Sequence, residues 1–181
     1  MTALSMYQLL MGASFLRLSP SVRAFHRLMG PHVLHGWVQT EAPSTFLAKL
    51  VARCLGTPLS PSNGAIRFEL DAHPDREVWV RHFPTNTMMS RMRLVHGELT
   101  ESVGPTRLHF CLDEVEGRLV MRLTRLRFLG LPCPRWAMPI VIAEEDGSGD
   151  RLEFNVKAFF PLVGQVAGYS GYLVIDVGET E

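Results

Sequence analysis

The chain has 181 residues, 46% of them apolar and 20% charged, an ordinary globular composition long enough to bury a core without disulfides or metals. Eighteen Lys plus Arg balance eighteen Asp plus Glu, which leaves no basic excess of the kind a nucleic-acid surface needs. Three widely spaced cysteines, Cys54, Cys111 and Cys133, form no CxxC pair, so neither a zinc site nor a disulfide framework is expected, and no metal or cofactor.

Residues 1–18 are apolar but lack a basic segment ahead of the apolar part, and no run approaches the length of a membrane span. A reduced, cytoplasmic protein is the expectation. Within residues 5–15 the apolar positions Met6, Leu9, Leu10 and Ala13 have helical spacing. Ser19 before Pro20 reads as the N-cap and first residue of a second helix that Gly30-Pro31 stops. Residues 32–41 alternate as a first strand, and residues 45–55 form an amphipathic helix ended by Gly56.

From residue 58 onward the pattern is almost wholly β, after a loop at 58–64. Residues 65–70 place Ile66, Phe68 and Leu70 on one face. Residues 76–83 form a strand with Trp79, Arg81 and Phe83 on one side and Val78, Val80 and His82 on the other. Residues 88–103 bend or break at Gly97. Strands at 106–113 and 118–128 follow, joined by Glu116-Gly117. The proline-dense stretch 130–139 reads as a crossing loop held by Trp136. A hairpin spans residues 140–159, and a last strand pair ends near 177. Eight or nine sequential antiparallel strands after an N-terminal helical region predict a mainly β, α+β fold. Its form is a calycin- or lipocalin-like barrel or a strongly curved half-barrel. One domain spans 1–181, with a helical region and one strand over 1–57 and the meander over 58–181.

Five segments together carry a family resemblance: Leu18-Ser-Pro-Ser-Val-Arg-Ala-Phe-His26, Trp79-Val-Arg-His-Phe83, Gly104-Pro-Thr-Arg-Leu-His-Phe110, Gly130-Leu-Pro-Cys-Pro134, and the run from Pro161 through Tyr169 and Gly171 to Leu173. In these the chain resembles DUF4166, a bacterial domain of unknown function. The resemblance implies no activity. It does imply that Trp79, Arg81, Phe83, Tyr169 and Gly171 occupy characteristic positions. It also implies a saccharopine-dehydrogenase-like protein as a possible partner, because the domain also occurs attached to such domains. No G-x-G-x-x-G follows a strand here, so the chain is not expected to bind the dinucleotide itself.

Arg81, flanked by two aromatics on a largely apolar face, is the first candidate for chemistry. A buried guanidinium needs acceptors around it, and Glu101 or Glu144 is the expected counter-ion. An internal ion pair that fixes the barrel, or an anchor for a carboxylate or carbonyl oxygen, would each account for it. His26 reads as a packed or capping histidine, and His109 as facing solvent. Tyr169, among glycines, either donates to a ligand oxygen or packs at a bend. Met92 belongs to an adaptable apolar lining. The expected function is binding of a small hydrophobic molecule by Trp79, Arg81, Phe83, Met92 and Tyr169. The alternatives are a cofactor-free isomerase or cyclase using Arg81, Glu101, Glu144 and Tyr169, or a docking module for a dehydrogenase-like partner.

Overall fold

The computed structural model describes residues 4–175. Ser5 starts the first helix, α1 (Met6–Met11), through a reciprocal capping box with Gln8. Gly12, at φ 53°, ends it, so the helical spacing over residues 5–15 resolves into one short helix followed by a 3₁₀ segment, Gly12–Arg17. The second helix, α2 (Pro20–Phe25), begins at Pro20 as expected, but it stops at Phe25 rather than at Gly30. Residues 26–29 form a turn and an irregular link into the strand β1 (Gly30–Thr40).

Helix α3 (Phe46–Leu55) is capped by the Thr45 hydroxyl, which accepts from the Ala48 amide, and ends at Gly56 in the left-handed region. The remaining strands are β2 (Ser62–Ala72), β3 (Arg76–His82), β4 (Thr87–Val95), β5 (Glu98–Val103), β6 (Thr106–Val115), β7 (Arg118–Phe128), the two-residue β8 (Leu131–Pro132), β9 (Ile140–Ser148), β10 (Arg151–Phe160) and β11 (Gly164–Val174). Successive hairpins turn on His96-Gly97, Glu116-Gly117 and Leu129-Gly130. Both residues of each pair have positive φ, the backbone of tight turns that match strand twist.

All pairings are antiparallel. β1 through β7 pair in sequence, β7 pairs β9, β9 pairs β10 and β10 pairs β11; β11 returns to β1. Ten strands therefore close into a barrel, with β8 attached to the end of β7. Closure rather than a half-barrel is decided by the β1–β11 and β7–β9 seams. Because β1 pairs on both sides, the strand in the N-terminal region is part of the barrel wall.

Closure buries the inner faces of the strands around one core that includes Ile66, Phe68, Trp79, Leu119, Leu152 and Leu173. The described residues before β1, 4–29, plug one end. Met6, Tyr7, Phe15, Leu18, Val22 and Phe25 are buried there, and the Ser19 amide donates to the Gly117 carbonyl at the β6–β7 turn. α3 lies across the other end. The Ser44 amide donates to the Gln165 carbonyl and the Thr45 hydroxyl to the Val163 carbonyl, while Gly104 of the β5–β6 turn sits under Cys54 and Leu55. The proline-dense stretch, expected to be a loop, contains the short strand β8 and a 3₁₀ turn at Arg135–Ala137. Trp136 does not hold it in place but projects outward, 73% exposed.

Candidate functional site

Strand alternation along β3 turns Glu77, Trp79 and Arg81 inward, with Phe83 following, and all four are buried. Across the ladder, Ser90 of β4 stands opposite Trp79 and Met88 opposite Arg81; Glu101 of β5 stands opposite Met92. The inner faces enclose a cavity of about 120 Å³. It runs from Phe25 and Trp79 beside the plug to Leu55, Pro139 and Phe160 beside the α3 end.

Among the described residues, Arg81 is the one cation on this lining. Its Nη1 donates to the Ser90 hydroxyl at 2.9 Å, and its guanidinium carbon lies 4.9 Å from the Trp79 ring and 5.8 Å from that of Phe68. Both rings place their negative faces against the charge. Glu101 is 4.0 Å away, close enough for attraction and too far for a direct hydrogen bond. The guanidinium thus keeps donors free of any direct partner among the described residues. Tyr169 of β11 completes this wall. Its ring packs edge-on against Phe83 at 5.2 Å and Phe154 at 6.2 Å. Burial raises its hydroxyl pKa, partly offset by Arg81, so the phenol stays a proton donor.

A second polar group lies at the plug. His26, at the end of α2, is buried, with Nε2 2.6 Å from Glu145 Oε2 on β9. In that arrangement Nε2–H donates to the carboxylate, and the buried Nδ1 has no partner. The Tyr7 ring stacks on His26 at 3.7 Å, and its hydroxyl donates to Met92 Sδ at 3.4 Å. Nearby, Trp79 Nε1 donates to Glu77 Oε2 at 2.7 Å. Burial pushes the Glu77 carboxyl above the usual carboxylate range, against the opposing pull of His26 and the Trp79 hydrogen bond.

Trp79, Arg81, Glu101 and Tyr169 therefore share one cavity wall. Phe83 supports Tyr169 from behind, and Met92 lies under the plug as the acceptor for Tyr7. Glu144 also borders the cavity. Its side chain is more than a third exposed and 3.9 Å from Arg118, while its neighbour Glu145 turns inward beside Ala143. Two bulky residues, Ile140 and Ile142, share the Glu144 face and make it read as the core side; both are exposed. The signal for Glu145 was the opposite alternation, Val141, Ala143, Glu145. His26 was legible as a packed histidine, but its carboxylate partner is 119 residues away. His109 makes its polar contacts with Thr100 and Glu98 on the outer side. Among the described residues no cluster of three His, Cys, Asp or Glu is placed to hold a metal, and no helix is long and apolar enough to cross a membrane.

The family model for a domain of unknown function, DUF4166, matches residues 18–173. The chain belongs to the DUF4166 family. That match takes in the barrel from Gly30 to all but the last residue of β11, and it includes His26 but not Tyr7. No curated protein matches the chain. Among solved structures, Rv2717c from M. tuberculosis is similar at 10% identity and a TM-score of 0.46, over 87% of this chain and 98% of that one.

Proposed function

We propose that the barrel binds a small, largely apolar organic molecule through one neutral oxygen, a carbonyl or hydroxyl, directed at Arg81. The observation that carries this reading is a buried guanidinium with uncommitted donors on the wall of an otherwise apolar cavity. Three carboxylates, Glu77, Glu101 and Glu145, are buried in the same interior, which disfavours an anionic ligand and favours a dipolar one. Tyr169 supplies a second donor. The cavity volume is close to that of engineered cavities of about 150 Å³ that admit benzene, so the ligand is of monocyclic or short-chain size.

Native mass spectrometry of the gently purified protein checks for a retained molecule, and competition against an apolar fluorescent probe measures affinity. A ketone and its parent hydrocarbon should differ on the native protein by roughly ten- to a hundredfold, the scale of a charge-assisted hydrogen bond of about 1.5–3 kcal/mol. The double variant Arg81→Met/Glu101→Gln, which removes the cation without stranding its counter-ion, should abolish that difference. If the two ligands bind alike to the native protein, Arg81 is a structural group.

A cofactor-free isomerase is the second reading, favoured by Glu145, which lies on the same lining and is held from behind by His26. In it Arg81 and Tyr169 stabilise an enolate oxygen while Glu145, held by His26, carries the proton. Exchange of a bound ketone's α-hydrogens in D₂O, followed by NMR, is the test. Exchange that survives in Glu145→Gln at the native rate would exclude this role.

A further inference from the structure

The equal numbers of acids and bases conceal a separation along the barrel axis. The segments that make up the α3 end are residues 42–61, 83–87, 103–107, 126–143 and 157–163, and none contains an Asp or Glu. They carry Lys49, Arg53, Arg107, Arg127, Arg135 and Lys157. Lys157 is neutralised by Glu41 at 2.8 Å. The other five are exposed, and none has an acidic partner within salt-bridge distance among the described residues. Elsewhere acids and bases are mixed: Arg17, Arg67, Arg118, Arg122 and Arg125 each pair with a carboxylate, whereas Arg23, Arg27, Arg91, Arg93 and Arg151 have none within salt-bridge distance among the described residues.

The same end carries the exposed apolar surface. Leu162, Phe46, Trp136, Leu131, Leu129 and Ile140 are the most exposed large apolar side chains among the described residues, from 91% down to 67%. All six lie on these acid-free segments. Their placement is built into the backbone. Leu129 occupies the first position of a tight turn with positive φ, which aims it away from the barrel. In α3 the small residues Ala48 and Ala52 face inward, while Phe46, Leu47 and Leu50 face out beside Lys49 and Arg53. A helix that packs its alanines and displays its large apolar residues is arranged for a second apolar phase.

We infer that the α3 end docks on an anionic lipid bilayer, with the apolar side chains entering the headgroup region and the five free cations facing lipid phosphates. The cations select this occupant. A second copy of the chain would bring the same five charges against them, whereas an anionic membrane supplies the opposite sign over a broad surface. The argument does not depend on what the cavity holds, though a docked barrel would open its α3 end toward an apolar phase.

Co-sedimentation of the full chain with vesicles tests this. Vesicles of equal phosphatidylglycerol and phosphatidylcholine should bind the protein at low salt, and pure phosphatidylcholine vesicles should not. About 0.5 M NaCl should weaken binding by screening, and docking should shift the emission of Trp136 to the blue. Two variants alter only exposed side chains and should keep the native unfolding temperature: Phe46→Ser/Leu131→Ser, and Lys49→Glu/Arg53→Glu/Arg135→Glu. Each should reduce binding by at least about tenfold, while Arg91→Glu/Arg93→Glu on the barrel wall should not. No binding to anionic vesicles at low salt would overturn the inference, as would equal binding by the native protein and both variants. A concentration-dependent dimer that Phe46→Ser/Leu131→Ser dissociates would assign the surface to self-association instead.

Discussion

Single side chains divide the barrel interior into two electrostatic regions. Around Arg81 the environment is aromatic and the nearest carboxylate stands off at 4.0 Å; at the plug, Glu77 and Glu145 crowd His26 and Tyr7. This crowding makes stability pH-dependent in a defined direction. Burial raises the Glu77 pKa in the folded state above the ordinary value of 4.5. Below that value the carboxyl is neutral in both states and its contribution to stability is complete. As pH rises through the folded pKa the unfolded chain has already ionised, so stability is lost. Glu77→Gln keeps an acceptor for Trp79 and cannot ionise. Its urea midpoint should therefore gain on that of the native protein as the pH rises above 4.5. A difference that stays constant across this range would mean that Glu77 does not titrate with folding.

At the level of elements, the seam between the first and last strands closes the barrel, and it depends on close backbone approach. Gly171 pairs with Val38 and Gly36 with Leu173. A Cβ at Gly171 would fall inside contact distance of the Trp37 carbonyl oxygen, and one at Gly36 inside that of Tyr172. Both obstacles are backbone, so neither can rotate aside. Gly171→Ala should destabilise the fold at the upper end of the about 1–3 kcal/mol typical of overpacking, read from denaturant unfolding. Gly149→Ala serves as a comparison, because its position has open space around the Cβ and bears only the strain of its positive φ. An equal loss at both sites would place the cost in backbone strain rather than in the seam. Most strands and turns were legible from alternation and from pairs such as Glu116-Gly117, whereas the hairpin at Leu129-Gly130 was hidden in the proline-dense stretch. The ends of α3 were legible too, from Thr45 and Gly56, but the C-terminal ends of α1 and α2 were not, because the N-terminal segments are shaped by the barrel end they fill.

Over the whole molecule, the plug and the wall are tied by one buried pair, His26 and Glu145, whose side chains are 0% and 7% exposed. Glu145→Leu leaves His26 without its acceptor and should cost about 3–5 kcal/mol, the usual loss when one member of a buried pair is removed. It should also raise binding of an apolar dye, because Tyr7 and Phe25 lose the anchor that seats them. Loss of stability without new dye binding would show that the plug is held by apolar packing alone.

Local pattern was sufficient for the antiparallel meander, the inward face of β3 and the membership in DUF4166, because strand parity and turn chemistry act over two to four residues. Three features required the folded chain. Closure joins β1 to β11 across more than 120 positions, and the sequence left it open between a barrel and a half-barrel. The choice of Glu145 over Glu144 turned on which face of β9 meets the core, and the exposed Ile140 and Ile142 reversed the apparent parity. The cationic, apolar end is assembled from five segments scattered along a chain of zero net charge, so its polarity exists only once the barrel brings them to the same side.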